Sequence, residues 1–202
     1  MSARGRLITL EGVDGAGKST HIQFIADQIG ATGQQVIVTR EPGGTELAER
    51  LRKAILEEPM SPLAETLLLF AARADHVARV IRPALEAGHC VVCDRFTDAT
   101  FAYQGGGKGV ASELIERLSQ AVHPGLRPHR TLVFDCSYEV ASTRLAASGK
   151  PLDRFEREAR DFFDRVRNAY LEIARKEPDR VRVIDAGADL AAVRKAIGAG
   201  LA

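Results

Sequence analysis

Apolar residues along the chain fall into two rhythms: short unbroken runs, and stretches where they return every three or four positions. The runs are Leu7-Ile8-Thr9-Leu10 (within Arg6 to Glu11), Val36-Ile37-Val38-Thr39, His89 to Cys93, Thr131 to Asp135 and Val181 to Ile184. Runs of this length bounded by polar turns predict strands buried on both faces of a parallel sheet. The helical rhythm fills the gaps. Ile22, Ile25, Ala26 and Ile29 predict a helix stopping near Gly30 or Gly33, and Thr45 can cap a second through Leu47, Leu51, Ile55 and Leu56. A longer helix is expected from about Leu63 to Glu86, kinked or split in two at Pro83. Others follow over Ser112 to Val122, Glu139 to Ala147 and Phe155 to Lys176, and an Ala-rich one ends the chain. Within Phe155 to Lys176, the residues Phe162, Phe163, Val166, Tyr170 and Ile173 form one apolar stripe on a charged segment. Strands alternating with helices predict one α/β domain over residues 1–202, a five-stranded parallel sheet covered by helices on both faces.

Composition narrows the class. A chain of 202 residues with 45% hydrophobic content can bury a sizeable core. Lys and Arg number 28 against 27 acidic residues, for a net charge of +1. That balance gives no global pull toward nucleic acid or membrane surfaces, and neither is expected as a partner. No apolar run approaches transmembrane length, and the N-terminus lacks the apolar centre of a signal peptide. Three cysteines, Cys90, Cys93 and Cys136, are few and odd in number, which suggests a reducing, cytoplasmic setting. Cys90 and Cys93 have the C-x-x-C spacing, but they sit inside an expected strand, whereas redox pairs usually open a helix. No second pair stands at zinc-site spacing, so small buried residues are the better reading.

The chemistry begins after the first strand. Gly12-Val13-Asp14-Gly15-Ala16-Gly17-Lys18-Ser19, followed by Thr20, is Gly-x-x-x-x-Gly-Lys-Ser between a strand and a helix, a phosphate-binding loop. Its glycines let successive amides converge on phosphate oxygens, and the helix directs its positive end at the same anion. Lys18 supplies a cation for the β- and γ-phosphates and the Ser19 hydroxyl can ligate Mg²⁺. The fold expected is therefore a three-layer P-loop NTPase fold, binding a nucleoside triphosphate. Asp94-Arg95 leaves the end of the third strand: the acid could hold Mg²⁺ or its waters, and the arginine could clamp a phosphate monoester, a surface ion pair being the alternative. Phe70 and Arg73 share a helical face and suit a flat heterocycle, though on spacing alone a core Phe and a solvated Arg are the better reading. Tyr103-Gln104-Gly105-Gly106-Gly107 reads as a loop allowing close backbone approach, or as a flexible connector. Arg144, Lys150 and Arg154 flank a segment between two late helices, where a closing lid would carry cations, or a loop would merely be solvated.

Taken together, Glu11 to Thr20, Thr39-Arg40-Glu41-Pro42-Gly43-Gly44-Thr45, Phe70-Ala71-Ala72-Arg73, Asp94-Arg95-Phe96, Ala102 to Gly107 and Leu152-Asp153-Arg154-Phe155 resemble bacterial thymidylate kinases, in the family's order and over most of the chain. The resemblance implies Mg²⁺-dependent transfer of the ATP γ-phosphoryl to dTMP, giving dTDP and ADP, by a cytoplasmic homodimer built through long helices. It implies that Lys18 and the loop amides hold the ATP phosphates, and that Asp14 sits near the dTMP 3′-hydroxyl. Arg95 would clamp the dTMP phosphate with Arg40 close by. Phe70 would stack on thymine while Arg73 bonds its O4, Thr100 and Gln104 would line the base, and Tyr103 would crowd the 2′ position. Some relatives carry an arginine in the phosphate loop where this chain has Gly15, and the others draw the catalytic arginine from the lid, here about residues 144–156. Arg154 or Lys150 is then expected to meet the transferring phosphoryl, with Arg144 nearer the adenine. Many relatives space the stacking Phe and the Arg by four, which would align Leu69 in place of Phe70. The rival readings are another nucleoside or nucleotide kinase, and a GTP-dependent switch, which the lack of an Asn-Lys-x-Asp motif disfavours.

Overall fold

The computed structural model describes residues 5–149, 153–156 and 159–201. Five strands, β1 (Leu7–Gly12), β2 (Val36–Arg40), β3 (Cys90–Asp94), β4 (Arg130–Asp135) and β5 (Val181–Asp185), form one sheet. Their order is β2-β3-β1-β4-β5, every adjacent pair parallel. The expected runs are therefore the strands, each within a residue or two of the reading from sequence. The chain reverses its direction of travel along the sheet after β3, so the crevice beyond the carboxyl ends of β1 and β3 is where a ligand belongs.

Alternation along β1 distributes the core. Ile8 and Leu10 pack with Ile25, Ile29, Val193 and Ile197, while Leu7 packs with Val77, Ile81 and Ala84. Each such burial contributes roughly 1.5–3 kcal/mol. The intervening polar positions, Thr9 and Glu11, are also fully buried. Thr9 and Thr131 bridge β1 and β4 through their hydroxyls at 2.7 Å.

Helices α1 (Lys18–Gly30), α2 (Glu46–Glu57), α3 (Pro62–His76), α4 (Arg82–Glu86), α5 (Thr97–Thr100), α6 (Ser112–Val122), α7 (Tyr138–Ala147), α8 (Arg160–Lys176) and α9 (Leu190–Leu201) surround the sheet. Thr45 caps α2 as expected, its hydroxyl accepting from Ala48 N at 3.1 Å, and also donates to Asp75 on α3. The expected break near Pro83 takes another form. Residues Val77–Ile81 open into a π turn, with Arg82 N–H bonded to Val77 O. Widening the helix just before a proline, which lacks a donor, lets α3 run into α4 without ending.

Two expectations fail. Tyr103 to Gly107 is not a loop: Phe101–Gly107 is π-helical and continues α5. Its glycines serve helix packing, since a Cβ on Gly106 would stand 2.6 Å from Ala169 Cβ on α8. The helix expected from Phe155 begins instead at Arg160, and Arg154 to Glu156 form a turn. Asp153 closes that turn by accepting from the backbone N–H of Phe155 and Glu156, so its carboxylate favours a turn over a helix.

Candidate active site

The phosphate-binding loop crosses from β1 to α1 at the sheet's carboxyl edge and lines a cleft of about 760 Å³. Gly15 has φ +79°, and a Cβ there would lie 2.5 Å from Ala141 O on α7. An arginine at this position would need both a left-handed backbone and displacement of α7, which accounts physically for the glycine. Lys18 is buried, its Nζ donating to Gly12 O and Val13 O at 3.1 Å each. Burial and the neighbouring Arg95 charge pull its ammonium below the usual lysine range. Ser19 and Thr20, at the start of α1, line the same cleft.

Beside the loop stands Arg95, one residue past β3, with φ 69°. Its backbone N–H is held by Leu10 O at 2.9 Å. One guanidinium nitrogen donates to Gly12 O (2.9 Å) and Tyr170 Oη (3.1 Å), the other to Asp14 Oδ1 (2.6 Å) and Tyr103 Oη (3.0 Å). Tyr103 in turn donates to Asp14 Oδ2 at 2.7 Å. Burial opposes ionisation of Asp14, but the Arg95 and Lys18 charges outweigh it and hold its carboxyl below the ordinary range. A left-handed conformation on a bulky residue costs of order 1–3 kcal/mol and persists only where surroundings over-determine it, as this web of donors does. Asp14 and Arg95, with Glu41, Arg52 and Asp153, line both the cleft and a second, narrower slot of about 100 Å³.

The slot is walled by α2, α3 and the π-helical stretch, with Leu69, Arg73, Phe96, Thr100, Tyr103 and Gln104 among its lining. Arg73 is buried against Phe70 and Phe96, its Cζ lying 4.8 and 5.3 Å from their ring centres. It donates to Glu41 at 2.6 Å, to Phe96 O at 3.2 Å and to Thr100 Oγ1 at 3.1 Å. Its remaining nitrogen, NH1, is buried with no partner among the described residues. Burial opposes ionisation of Glu41, but Arg73 and His76 overcome it and keep the carboxyl below its usual range.

Several expected residues stand elsewhere. Phe70 lies behind Arg73 and does not line the slot; Leu69 does, as the four-residue spacing of Leu69 and Arg73 implies. Arg40 lines the cleft but is tied to Glu49 by two 2.9 Å bonds and is half exposed. Arg154 lines neither cavity: it bonds Ile55 O at 2.5 Å and the buried Glu65 carboxylate. The expectation that it faces the phosphates is corrected by that carboxylate, which outcompetes the open cleft for the guanidinium. Lys150 lies outside the described residues. Arg144 is the lid-side cation at the loop, donating to Ala16 O at 3.4 Å and Ala186 O at 2.9 Å.

Three participants escaped the sequence reading. Arg52 reaches from α2 to Pro42 O at 2.9 Å and lines both cavities, but nothing marked it among the charges of that helix. Tyr170 reads as core by periodicity; its ring is buried and its hydroxyl donates to Glu11 at 2.8 Å. Glu11 also accepts from Phe96 N–H at 2.7 Å, and burial, aided by the Asp98 charge, pushes its carboxyl up to about 8.

The cleft carries oxygens that could hold a Mg²⁺ ion. Asp94 lines it with a buried Oδ1 that has no partner among the described residues, and the Ser19 hydroxyl lines it too. No cluster of three or more His, Cys, Asp or Glu that could cage a metal occurs among the described residues.

Comparison with known proteins gives one answer. The family described as thymidylate kinase matches residues 10–197. A thymidylate kinase of Pseudomonas syringae pv. syringae (strain B728a) is 57% identical over 193 residues, covering 94% of this chain and 91% of that protein. One from Bordetella pertussis is 54% identical over 194 residues, covering 96% and 93%. The crystal structure of thymidylate kinase from Ehrlichia chaffeensis superposes with a TM-score of 0.79 at 32% identity, covering 98% of each chain.

Proposed function

Because the chain belongs to the thymidylate kinase family, we propose that the slot holds dTMP and the cleft holds ATP, with the two phosphate chains meeting between Asp14, Arg95 and Lys18. The enzyme is a thymidylate kinase with ATP as phosphoryl donor. The observation that carries the site assignment is Arg73, which lines the slot and whose buried NH1 has no partner among the described residues. A buried N–H without a partner costs about 1–3 kcal/mol, which a thymine carbonyl would remove.

The reaction needs little covalent help. A phosphate oxygen of dTMP attacks the γ-phosphorus, the bond to the β–γ bridging oxygen breaks, and ADP leaves with those electrons. The acceptor phosphate is already ionised, so no general base is assigned. The protein supplies alignment and charge. Arg95 brings a fixed positive charge to the acceptor phosphate, its terminal N–H groups being held by Gly12 O, Tyr170, Asp14 and Tyr103, with Arg52 and Arg40 on its flank. Lys18 and the loop amides hold the donor phosphates, and Asp14 fixes Arg95 while facing the acceptor sugar. Mg²⁺, held by Asp94 and Ser19, would neutralise charge on the β- and γ-oxygens. Tyr103, locked between Asp14 and Arg95, sets the steric limit beside the ribose.

Arg144 takes the place that Arg154 leaves, because it alone of the described lid arginines lines the cleft. Arg144→Ala is expected to lower kcat by about a hundred-fold with KM for dTMP unchanged, as removal of one preorganised donor does. Steady-state rates with each substrate varied in turn check this. A turnover panel tests the acceptor assignment: dTMP is preferred strongly over dCMP, AMP and thymidine, and comparable activity on AMP would refute it.

The reading extends to assembly and location. Leu47 on α2 and Leu63 and Leu67 on α3 are 42%, 50% and 47% exposed. These leucines support a homodimer built through α2 and α3. No helix among the described residues is long and apolar enough to cross a membrane. Cytoplasmic location is the setting that supplies both nucleotides and suits three free cysteines.

A further inference from the structure

Glu65 is fully buried on α3, one turn before Leu69 and two before Arg73, on the face that forms the acceptor slot. Its carboxylate collects donors from two other elements. Gln104 Nε2 lies 2.7 Å away, Lys108 Nζ 2.9 and 3.0 Å from its two oxygens, and the Arg154 guanidinium completes the set. Arg154 belongs to the lid turn, Gln104 lines the slot, and Lys108 follows the π-helical stretch. Phe155 packs against both cations, its ring centre 4.5 Å from Lys108 Nζ and 4.7 Å from Arg154 Cζ, and it also lines the slot.

We infer that Glu65 is a positioning residue that latches the lid turn, residues 153–156, over the acceptor slot through Arg154. Arg154 then serves dTMP capture and not the transferring phosphoryl. The inference rests on the reading of the slot as the dTMP site. Its physical basis is the cost of a buried carboxylate, which is lowered only while cations face it. Lys108 alone meets that need when the lid is away; Arg154 adds the second cation when the lid turn sits on the slot. Because Gln104 shares the same carboxylate, the order of the slot wall and the position of the lid are coupled.

The test is the split between KM and kcat in Arg154→Ala, Glu65→Gln and the double variant of the full-length enzyme. Each single variant is expected to raise KM for dTMP about tenfold, with kcat at saturating dTMP within about threefold of the parent and KM for ATP unchanged. The double variant is expected to be no worse than the more affected single one, since both remove the same contact. A hundred-fold fall in kcat for Arg154→Ala with unchanged dTMP KM would overturn the latch and return Arg154 to the phosphoryl. Additive losses in the double variant, or no change in Arg154→Ala, would overturn it as well. Arg154 is partly exposed, so its variant decides the matter even where Glu65→Gln fails to fold. A parent enzyme that does not turn over dTMP would instead refute the acceptor assignment.

Discussion

Lys18→Ala is expected to lower kcat by about a thousand-fold and leave the melting temperature within a few degrees of the parent. Among the described residues its side chain bonds two loop carbonyls, Gly12 O and Val13 O, so the fold asks little of it. Burial and the Arg95 charge make its ammonium a stronger acid than usual, because it is held against its solvation preference. Arrival of triphosphate reverses that balance, because the anion faces an ammonium already stripped of water. Removing the cation takes away charge stabilisation at the β–γ bridge, where negative charge grows during transfer. Single-turnover rates together with calorimetric melting check both halves. A rate within tenfold of the parent would contradict the role.

Arg95→Ala carries the second large effect. Its guanidinium organises Asp14, Tyr103, Tyr170 and Gly12 O at once, so its loss removes the positive charge held beside the acceptor phosphate and leaves the Asp14 carboxylate without its main partner. Truncating one member of a fully buried hydrogen-bonded charge pair costs roughly 2–5 kcal/mol, and this partly buried pair falls below that range. The expected result is a rise in KM for dTMP of about a hundred-fold or more, with KM for ATP within a few-fold. The loss has a pH signature. Arg95 and Lys18 hold the folded-state carboxyl of Asp14 below its unfolded value, so the pair stabilises above ordinary carboxylate pKa values and the contribution fades as pH falls. The variant should therefore lose less stability than the parent between about pH 5 and pH 2. An unchanged dTMP KM would refute the assignment.

The fold was legible because its signals are local. Each strand is an apolar run bounded by a turn, and the phosphate loop declares itself by residue type and spacing. The same locality explains the misses. Tyr103 to Gly107 reads as a loop because glycine lowers helix propensity, yet packing against α8 needs Gly106 and Gly107 bare and outweighs the roughly 1 kcal/mol cost of each glycine. Arg154 reads as a free lid cation because nothing near it in sequence announces Glu65, a residue 89 positions earlier. Phe70 and Leu69 are adjacent on α3, and only the helical phase places Leu69 on the slot with Arg73. Arg52 is one more charge on a charged helix until the fold sets it between the two cavities. Motifs thus point to the cleft beside the phosphate loop, while the slot is assembled from residues distant in sequence.

The central claim is that donor and acceptor sites are two halves of one site, joined at Asp14, Lys18 and Arg95. Calorimetric titration with adenosine and thymidine joined through a chain of phosphates tests it most directly, since occupying both halves makes the second contact intramolecular. The account predicts affinity at least a hundred-fold above that of ATP or dTMP alone, lost by most of that margin in both Lys18→Ala and Arg95→Ala. Affinity no better than that of ATP alone, or a margin that survives in Arg95→Ala, would contradict it.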